Sequence, residues 1–226
     1  NELTRLRGAE LGYVPQQSMA ALNPVRTIGA QVAELYQLRG GLSRPEAWRR
    51  AADILEQMQL IDVPRVMKAY PHEISGGMAQ RAVLAMAVSL KPSLLIADEP
   101  TTALDADLRA SILVDIKRQQ SDRRMAVLFI SHDISLVARH ADHLVVMYGG
   151  RVVESGSSDQ VFTSPRHPYT RLLLELDIAE DEVAQQALTD ICGCSFAPRC
   201  RHVRKQCCVA EPMWQGDSVR GWACCE

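Results

Sequence analysis

Ile74-Ser75-Gly76-Gly77-Met78-Ala79-Gln80-Arg81, then Leu94-Leu95-Ile96-Ala97-Asp98-Glu99-Pro100, then Ser131-His132-Asp133 are the stretches that decide the reading of this chain. Separately each is ordinary. A Ser-Gly-Gly turn is common, an apolar run ending in two acids fits many buried strands, and a lone histidine is most often structural. Their order carries the information: a turn opens a helix, a strand ends on two carboxyl groups, a second helix follows, and a second strand leads to a histidine. In open α/β sheets ligand chemistry collects at the carboxyl ends of the strands.

Asp98 and Glu99 are adjacent acids at the end of an apolar run. Burying such a pair is costly unless a cation or proton offsets the charge. A Mg2+ ion held through Asp98, with Glu99 polarising a water for attack on a phosphate, accounts for both. A strand end that exposes two acids to solvent is the bland alternative. Ser75-Gly76-Gly77 precedes a helical run, so backbone N–H groups and the positive end of the dipole face one way, and the glycines admit a phosphate close to the backbone. An ordinary capped helix is the alternative there. His132 follows the second strand, either as a γ-phosphate contact or as a structural residue. Gln16 lies in a loop from which it can reach a metal or a water, or be solvated.

Outward from these motifs the chain alternates strands and helices. Residues 11–15 read as a short strand leading to Gln16, and Asn23-Pro24 as a turn. Ser43 and Glu46 have capping-box spacing, with Pro45 in the first turn. The helix they open carries Trp48, Ala51, Ala52, Leu55 and Met58 at helical spacing. A second apolar helix runs from Gly77 and is closed by Pro92. Residues 94–97 and 127–130 are continuous apolar runs, as in strands covered on both faces of a parallel sheet. Between them residues 105–120 form a helix with Leu108, Ile112, Leu113 and Ile116 on one face. Residues 144–148, Gly149-Gly150 and 151–154 read as a hairpin with a primed turn. The fold class is α/β, a layered domain with a mostly parallel sheet, ending near Ser164-Pro165. Beyond it come a helix over 169–176, an acidic stretch at 180–182 and a cysteine-rich tail.

Composition narrows the classes. With 226 residues, 47% of them hydrophobic and 23% charged, the chain has room for one large domain and a small appendage and is not of disordered composition. A formal net charge of -2 gives no global pull toward nucleic acid or anionic lipid. No stretch reaches the apolar length of a membrane span, so a membrane role would run through a partner. The chain opens on Asn1 rather than Met, as a piece of a longer protein would. All seven cysteines, Cys192, Cys194, Cys200, Cys207, Cys208, Cys224 and Cys225, fall at the end of the chain. Such clustering fits a local metal or cluster site in a reducing compartment better than scattered disulfides. Cys194, Cys200, Cys207 and Cys224 are separated by five, six and sixteen residues. That is wider than the usual zinc knuckle but open to zinc, to an iron–sulfur cluster or to free thiols.

Taken in order, these motifs resemble an ABC transporter ATPase subunit. Gln16 is similar to that family's Q-loop, and Ser75-Gly76-Gly77-Met78 to its signature loop with Met in place of the commoner Gln. Residues 94–99 resemble the Walker B strand with its catalytic glutamate, Ala103-Leu104-Asp105 the D-loop, and His132 the switch histidine. The resemblance implies a P-loop NTPase-like fold that binds ATP and Mg2+. Glu99 and His132 would be catalytic, Gln16, Ser75, Gly76, Gly77, Asp98 and Asp105 would contact the nucleotide, and Asp98 and Gln16 would contact Mg2+. One departure matters: no Gly-x4-Gly-Lys-Ser/Thr occurs in the sequence, so the loop that cradles β- and γ-phosphates is missing. We expect it upstream of Asn1, and expect residues 1–226 alone to bind ATP poorly and hydrolyse it negligibly.

The tail narrows the resemblance. Residues 193–200 and 164–170 are similar to the C-terminal extension of oligopeptide and dipeptide (nickel) importer ATPases, which implies a 4Fe-4S cluster on Cys194, Cys200, Cys207 and Cys224, with Cys192, Cys208 and Cys225 as extras. The implied organisation is an ATPase domain over 1–164, with a helical subdomain at about 25–90, and an extension over 165–226. The implied partners are a second ATPase subunit, two integral membrane permeases and, indirectly, an extracytoplasmic solute-binding protein, at the cytoplasmic face of the inner membrane and without nucleic acid. The rivals are a non-catalytic half that contributes only its signature loop, and a non-transport or DNA-maintenance ATPase. The latter usually carries long coiled-coil insertions, which the sequence lacks.

Overall fold

The elements follow in order: β1 (Leu11–Val14), α1 (Ser18–Ala21), α2 (Ile28–Leu38), α3 (Arg44–Gln57), α4 (Val63–Lys68), α5 (Gly76–Val88), β2 (Leu94–Asp98), α6 (Ala106–Arg123) and β3 (Ala126–Ile130). They come from a computed structural model that describes residues 6, 10–101, 106–176, 193–217 and 219–225. The three strands form a parallel sheet in the order β1-β2-β3, with Leu11 opposite Leu94 and Asp98 opposite Ile130. This is the parallel sheet expected. The strands are not covered on both faces among the described residues. Val14, Leu95 and Ala97 are fully buried in one core with Ala82, Val83 and Leu84 of α5, whereas Leu128 is 51% and Ile130 44% exposed. Alternating side chains give each strand two faces, and the described helices cover one of them. Gly12 is what lets α5 approach β1: a Cβ there would meet the Ala87 carbonyl oxygen at 2.5 Å.

Local signals fared unevenly. The turn at Asn23-Pro24 is real and is pinned by the buried Gln31 amide, which accepts from Asn23 N–H (2.8 Å) and donates to the carbonyls of Asn23 (3.1 Å) and Arg26 (3.0 Å). Ser43 does flank α3, with Pro in its first turn, but its side chain makes no cap hydrogen bond. A reciprocal acid is found instead at Glu73, which accepts from Tyr70 N–H at 2.7 Å. The buried face of α3 is Ala47, Ala51, Ile54 and Leu55. Trp48, expected on it, is 39% exposed, because a one-residue step around a helix turns a side chain by about 100°. On α6, Ile112, Leu113 and Ile116 are buried as expected.

The chain divides into two compact units, Asn1–Ser131 and His132–Glu226. The second holds α7 (Ile134–His140), β4 (His143–Tyr148), β5 (Arg151–Ser157), α8 (Ser158–Thr163), α9 (Pro168–Leu176), β6 (Gln215–Gly216) and β7 (Gly221–Trp222). β4 and β5 form the expected hairpin, with Gly149 and Gly150 at φ 57° and 78°, the positive pair that a type I′ turn requires. The sheet order is β4-β5-β7-β6. The chain's end therefore returns to pair with β5, with Glu154 opposite Trp222. Phe196, 2% exposed, fills the interior between Tyr148 and Tyr169 at ring separations of 5.2 and 5.5 Å.

Candidate functional site

The apolar run of β2 ends by lifting Asp98 and Glu99, both half-buried, to the carboxyl edge of the sheet. Glu99 leaves the strand in a left-handed conformation, φ 45°, while its N–H still bonds Ile130 O at 2.9 Å. Two residues from the end of β1 reach the pair. Gln16 Nε2 donates to Glu99 Oε2 at 2.7 Å, and the Tyr13 hydroxyl donates to Asp98 Oδ2 at 3.2 Å. Desolvation, and then the Asp98 bond and charge, raise the Tyr13 pKa, so the hydroxyl remains a donor. The sequence placed Gln16 near the acids; it offered no signal for Tyr13, whose reach across to Asp98 depends on strand register.

Ser75 caps α5: its Oγ accepts from Met78 N–H at 3.3 Å. Ser75 and Gly76 are exposed, and a Cβ on Gly76 would meet nothing within 4 Å. The first turn of a 13-residue helix thus opens on free space with its N–H groups forward, the arrangement that binds anions. Met78 turns inward and packs on the core, so the Gln-to-Met departure leaves the exposed face of the turn unaltered. The two parts of the site are tied together through the protein interior. The Ser18 hydroxyl, on α1 just after Gln16, hydrogen-bonds Gln80 Oε1 on α5. The next residue, Arg81, donates to the carbonyls of Met58 (2.9 Å) and Gln59 (3.0 Å) and to Ser111 Oγ (3.0 Å).

His132 is exposed, two residues past the end of β3 and at the start of the second unit. The following Asp133 caps α7 by accepting from Leu136 N–H at 2.8 Å. Ala103, Leu104 and Asp105 lie outside the described residues.

In the second unit Cys194, Cys200, Cys207, Cys224 and Cys225 line one cavity with His167 and His202. Cys194 N–H bonds Cys207 O at 2.8 Å. Burial raises the Cys194 thiol pKa, with Cys207 and Cys200 adding to the shift; burial and a bond to Cys207 raise that of Cys225. Cys225, an extra to the four-cysteine set that the resemblance implies, lies in this cavity beside Cys207. Cys208 is exposed, and Cys192 lies outside the described residues. Among the described residues no group of three or more His, Cys, Asp or Glu is placed to hold a metal ion, so the expected metal set does not appear as a converged site. Glu154 and His167, which the sequence did not single out as site residues, are both buried, and His167 is part of the cavity's lining. Glu154 accepts from Arg166 and His167 N–H, each at 2.8 Å, and burial pushes the His167 pKa down to about 4.

A parallel sheet edged by an acid pair and a glutamine, with a glycine-opened helix held beside it, defines an ATP-binding cassette. Residues 2–102 match the ABC transporter family and residues 153–207 the oligopeptide/dipeptide transporter C-terminal region. A Brucella melitensis protein named as a peptide import ATP-binding protein is 43% identical over 226 residues, covering 93% of this chain and 67% of that protein. The glutathione import ATP-binding protein GsiA of Escherichia coli K12 is 46% identical over 173 residues, 76% of this chain and 28% of that protein. Among solved structures, a dimeric post-hydrolysis state of the ATP-binding cassette MJ0796 bound to ADP and Pi is similar with a TM-score of 0.60 and 31% identity, over 70% of this chain and 66% of that one. This chain belongs to the ABC transporter family. It spans about two thirds of the length of the Brucella relative and less than two thirds of the solved cassette.

Proposed function

We propose that the protein containing this chain is the ATP-hydrolysing subunit of an importer for peptides or related small solutes. The observation that carries the reading is the Gln16–Glu99 hydrogen bond beside Asp98 at the carboxyl edge of the sheet. Glu99 is the general base: its carboxylate takes the proton of the attacking water, and Gln16 orients it. The donor set fits Mg2+, since the Asp98 carboxylate and Gln16 amide oxygen are hard oxygen ligands on half-buried and exposed positions. When bound, that ion neutralises charge on the transferring phosphate. Ser75, Gly76 and Gly77 present hydroxyl and backbone donors to phosphate from the open end of α5, and the family resemblance assigns nucleotide contacts to His132 and Asp105 as well.

Because Ser75 and Gly76 face outward, the nucleotide they serve belongs to a second ATPase subunit, the two meeting head to tail; the dimeric MJ0796 cassette with ADP and Pi supports this arrangement. Residues 1–164 form the ATPase domain and 165–226 the extension. No helix among the described residues is long and apolar enough to cross a membrane. In this reading two permease subunits carry the solute, and this subunit sits against them on the cytoplasmic face of the inner membrane. The import proteins among its relatives support that placement.

In the extension, thiolates from Cys194, Cys200, Cys207 and Cys224 hold a 4Fe-4S cluster. Five sulfurs around one cavity support it, and ligands to separate irons stand farther apart than those on a single zinc. The ATPase reading is tested in the full-length protein. Glu99→Gln should lower ATP turnover by roughly 10²–10⁴-fold while leaving nucleotide affinity unchanged. Turnover at the wild-type rate would move the general base to another residue.

A further inference from the structure

The polar contact between Ser18 and Gln80 is buried, at 6% and 5% exposure, within the interior shared by α1 and α5. Its neighbours Leu22, Ala79 and Val83 are core residues. An apolar pair of the same size would fill that space without desolvating a hydroxyl and an amide. The amide is also only half satisfied: Gln80 Nε2 is buried with no hydrogen-bond partner among the described residues. Turning the amide over would leave its oxygen orphaned instead. A buried donor left unpaired is costly, and a group satisfied at one end only has a second arrangement to gain from.

The position of the pair gives this cost a use. Ser18 is two residues from Gln16, which touches Glu99. Gln80 lies one turn beyond Gly76 on the same helix, and residues four apart share a face. The neighbouring Arg81 fixes the other side of α5 to Met58, Gln59 and Ser111. A displacement of the Gln16 loop therefore reaches α5 at Gln80 and leaves it at the Ser75–Gly77 turn.

We propose that Ser18 and Gln80 are positioning residues that couple the two nucleotide sites of the dimer through the interior of one chain. The inference rests on the head-to-tail reading above, in which Gln16 and Glu99 serve one ATP and Ser75–Gly77 serve the other. Neither residue touches nucleotide. The pair makes the occupancy of one site change the approach of the signature turn to its neighbour.

The test uses the full-length protein assembled with its permeases, measuring the Hill coefficient of ATP hydrolysis and the affinity for a non-hydrolysable ATP analogue. Ser18→Ala and Gln80→Leu should each lower the Hill coefficient from above one to about one, and the double variant should lower it no further. Affinity for the first analogue bound should stay at the wild-type value while affinity for the second falls with the lost coupling, and Ser18→Thr, which keeps the hydroxyl, should keep cooperativity. A wild-type Hill coefficient of one, additive losses, or unchanged cooperativity in Ser18→Ala would overturn the proposal. So would variants that melt earlier yet remain cooperative, since that is the mark of a merely structural bond. If Gln80→Leu does not fold, the contrast between Ser18→Ala and Ser18→Thr decides. The wild-type assembly is the control: if it hydrolyses no ATP, the ATPase reading has failed. If it hydrolyses ATP cooperatively and Ser18→Ala does so too, the coupling alone has failed.

Discussion

Glu99 holds a conformation that its own side chain disfavours. At φ 45° its Cβ crowds the backbone, at a cost of about 1–2 kcal/mol relative to the right-handed region. Strain of this kind persists where the surroundings over-determine it and is concentrated at functional sites. The bend turns the carboxylate from the strand direction toward Gln16. Glu99→Gly should therefore lower turnover at least as far as Glu99→Gln does, yet leave the protein equally stable or more stable by up to about 1 kcal/mol, after the greater chain entropy of glycine is offset. Urea unfolding of the two variants side by side tests this. A clear loss of stability in Glu99→Gly alone would show that the side chain, not the bend, is what the fold needs. The acids themselves were legible in the sequence because two carboxyl groups after an apolar run are unusual. Tyr13 and the Ser18–Gln80 bond were not, because they join residues 85 and 62 positions apart through register and helix docking that periodicity does not encode.

Strands and helices were legible where the repeat was strong, and cap chemistry was not. The Gly149-Gly150 hairpin was readable because two positive φ angles leave few other residues possible. The Ser43/Glu46 box was misleading because the two side chains, though correctly spaced, make no reciprocal bond. The contact between β1 and α5 shows what one residue can decide at this scale. Gly12 pairs with Leu95 and lies fully under α5, where an added Cβ would meet Ala87 O at 2.5 Å, Leu95 Cδ1 at 3.1 Å and Pro92 Cγ at 3.1 Å. Neither the carbonyl nor the proline ring can yield as a flexible side chain would. Gly12→Ala should therefore destabilise the protein by about 1–3 kcal/mol, the usual cost of overpacking, seen as a lower urea midpoint. It should also slow turnover, because the displaced strand carries Tyr13 and Gln16. A midpoint equal to wild type would mean that α5 shifts freely, and that the signature turn is not held in place by β1.

At the scale of the whole molecule, the nucleotide chemistry and the cysteine chemistry belong to different stretches of chain, and the tail is built into its own unit by a strand. β7 pairs with β5 immediately before Cys224, so Cys224 and Cys225 are delivered to the cavity together, and the Cys225 thiol bonds Cys207. The resemblance put Cys224 in the ligand set and Cys225 outside it, with the choice between the two open; the sequence could not register that the returning strand brings both into one cavity. Protein purified without oxygen should be brown and carry about four irons per chain. Serine at Cys194, Cys200 or Cys207 should empty the site, since a hydroxyl is a poor ligand for soft iron–sulfur centres. Cys224→Ser and Cys225→Ser should each retain part of the iron, and only the double change should remove it, because either thiol can close the set. ATP turnover of the full-length protein should survive in all of these variants, since Gln16, Ser75, Asp98 and Glu99 lie in the first unit and His132, which opens the second, is well separated in sequence from the cysteines. One zinc and no iron per chain would replace the cluster with a structural zinc site. Thiols that all react freely in a metal-free protein would rule out both, leaving Phe196, β7 and contacts such as Arg220 to Ser164 O and Arg151 to Glu211 to anchor the tail.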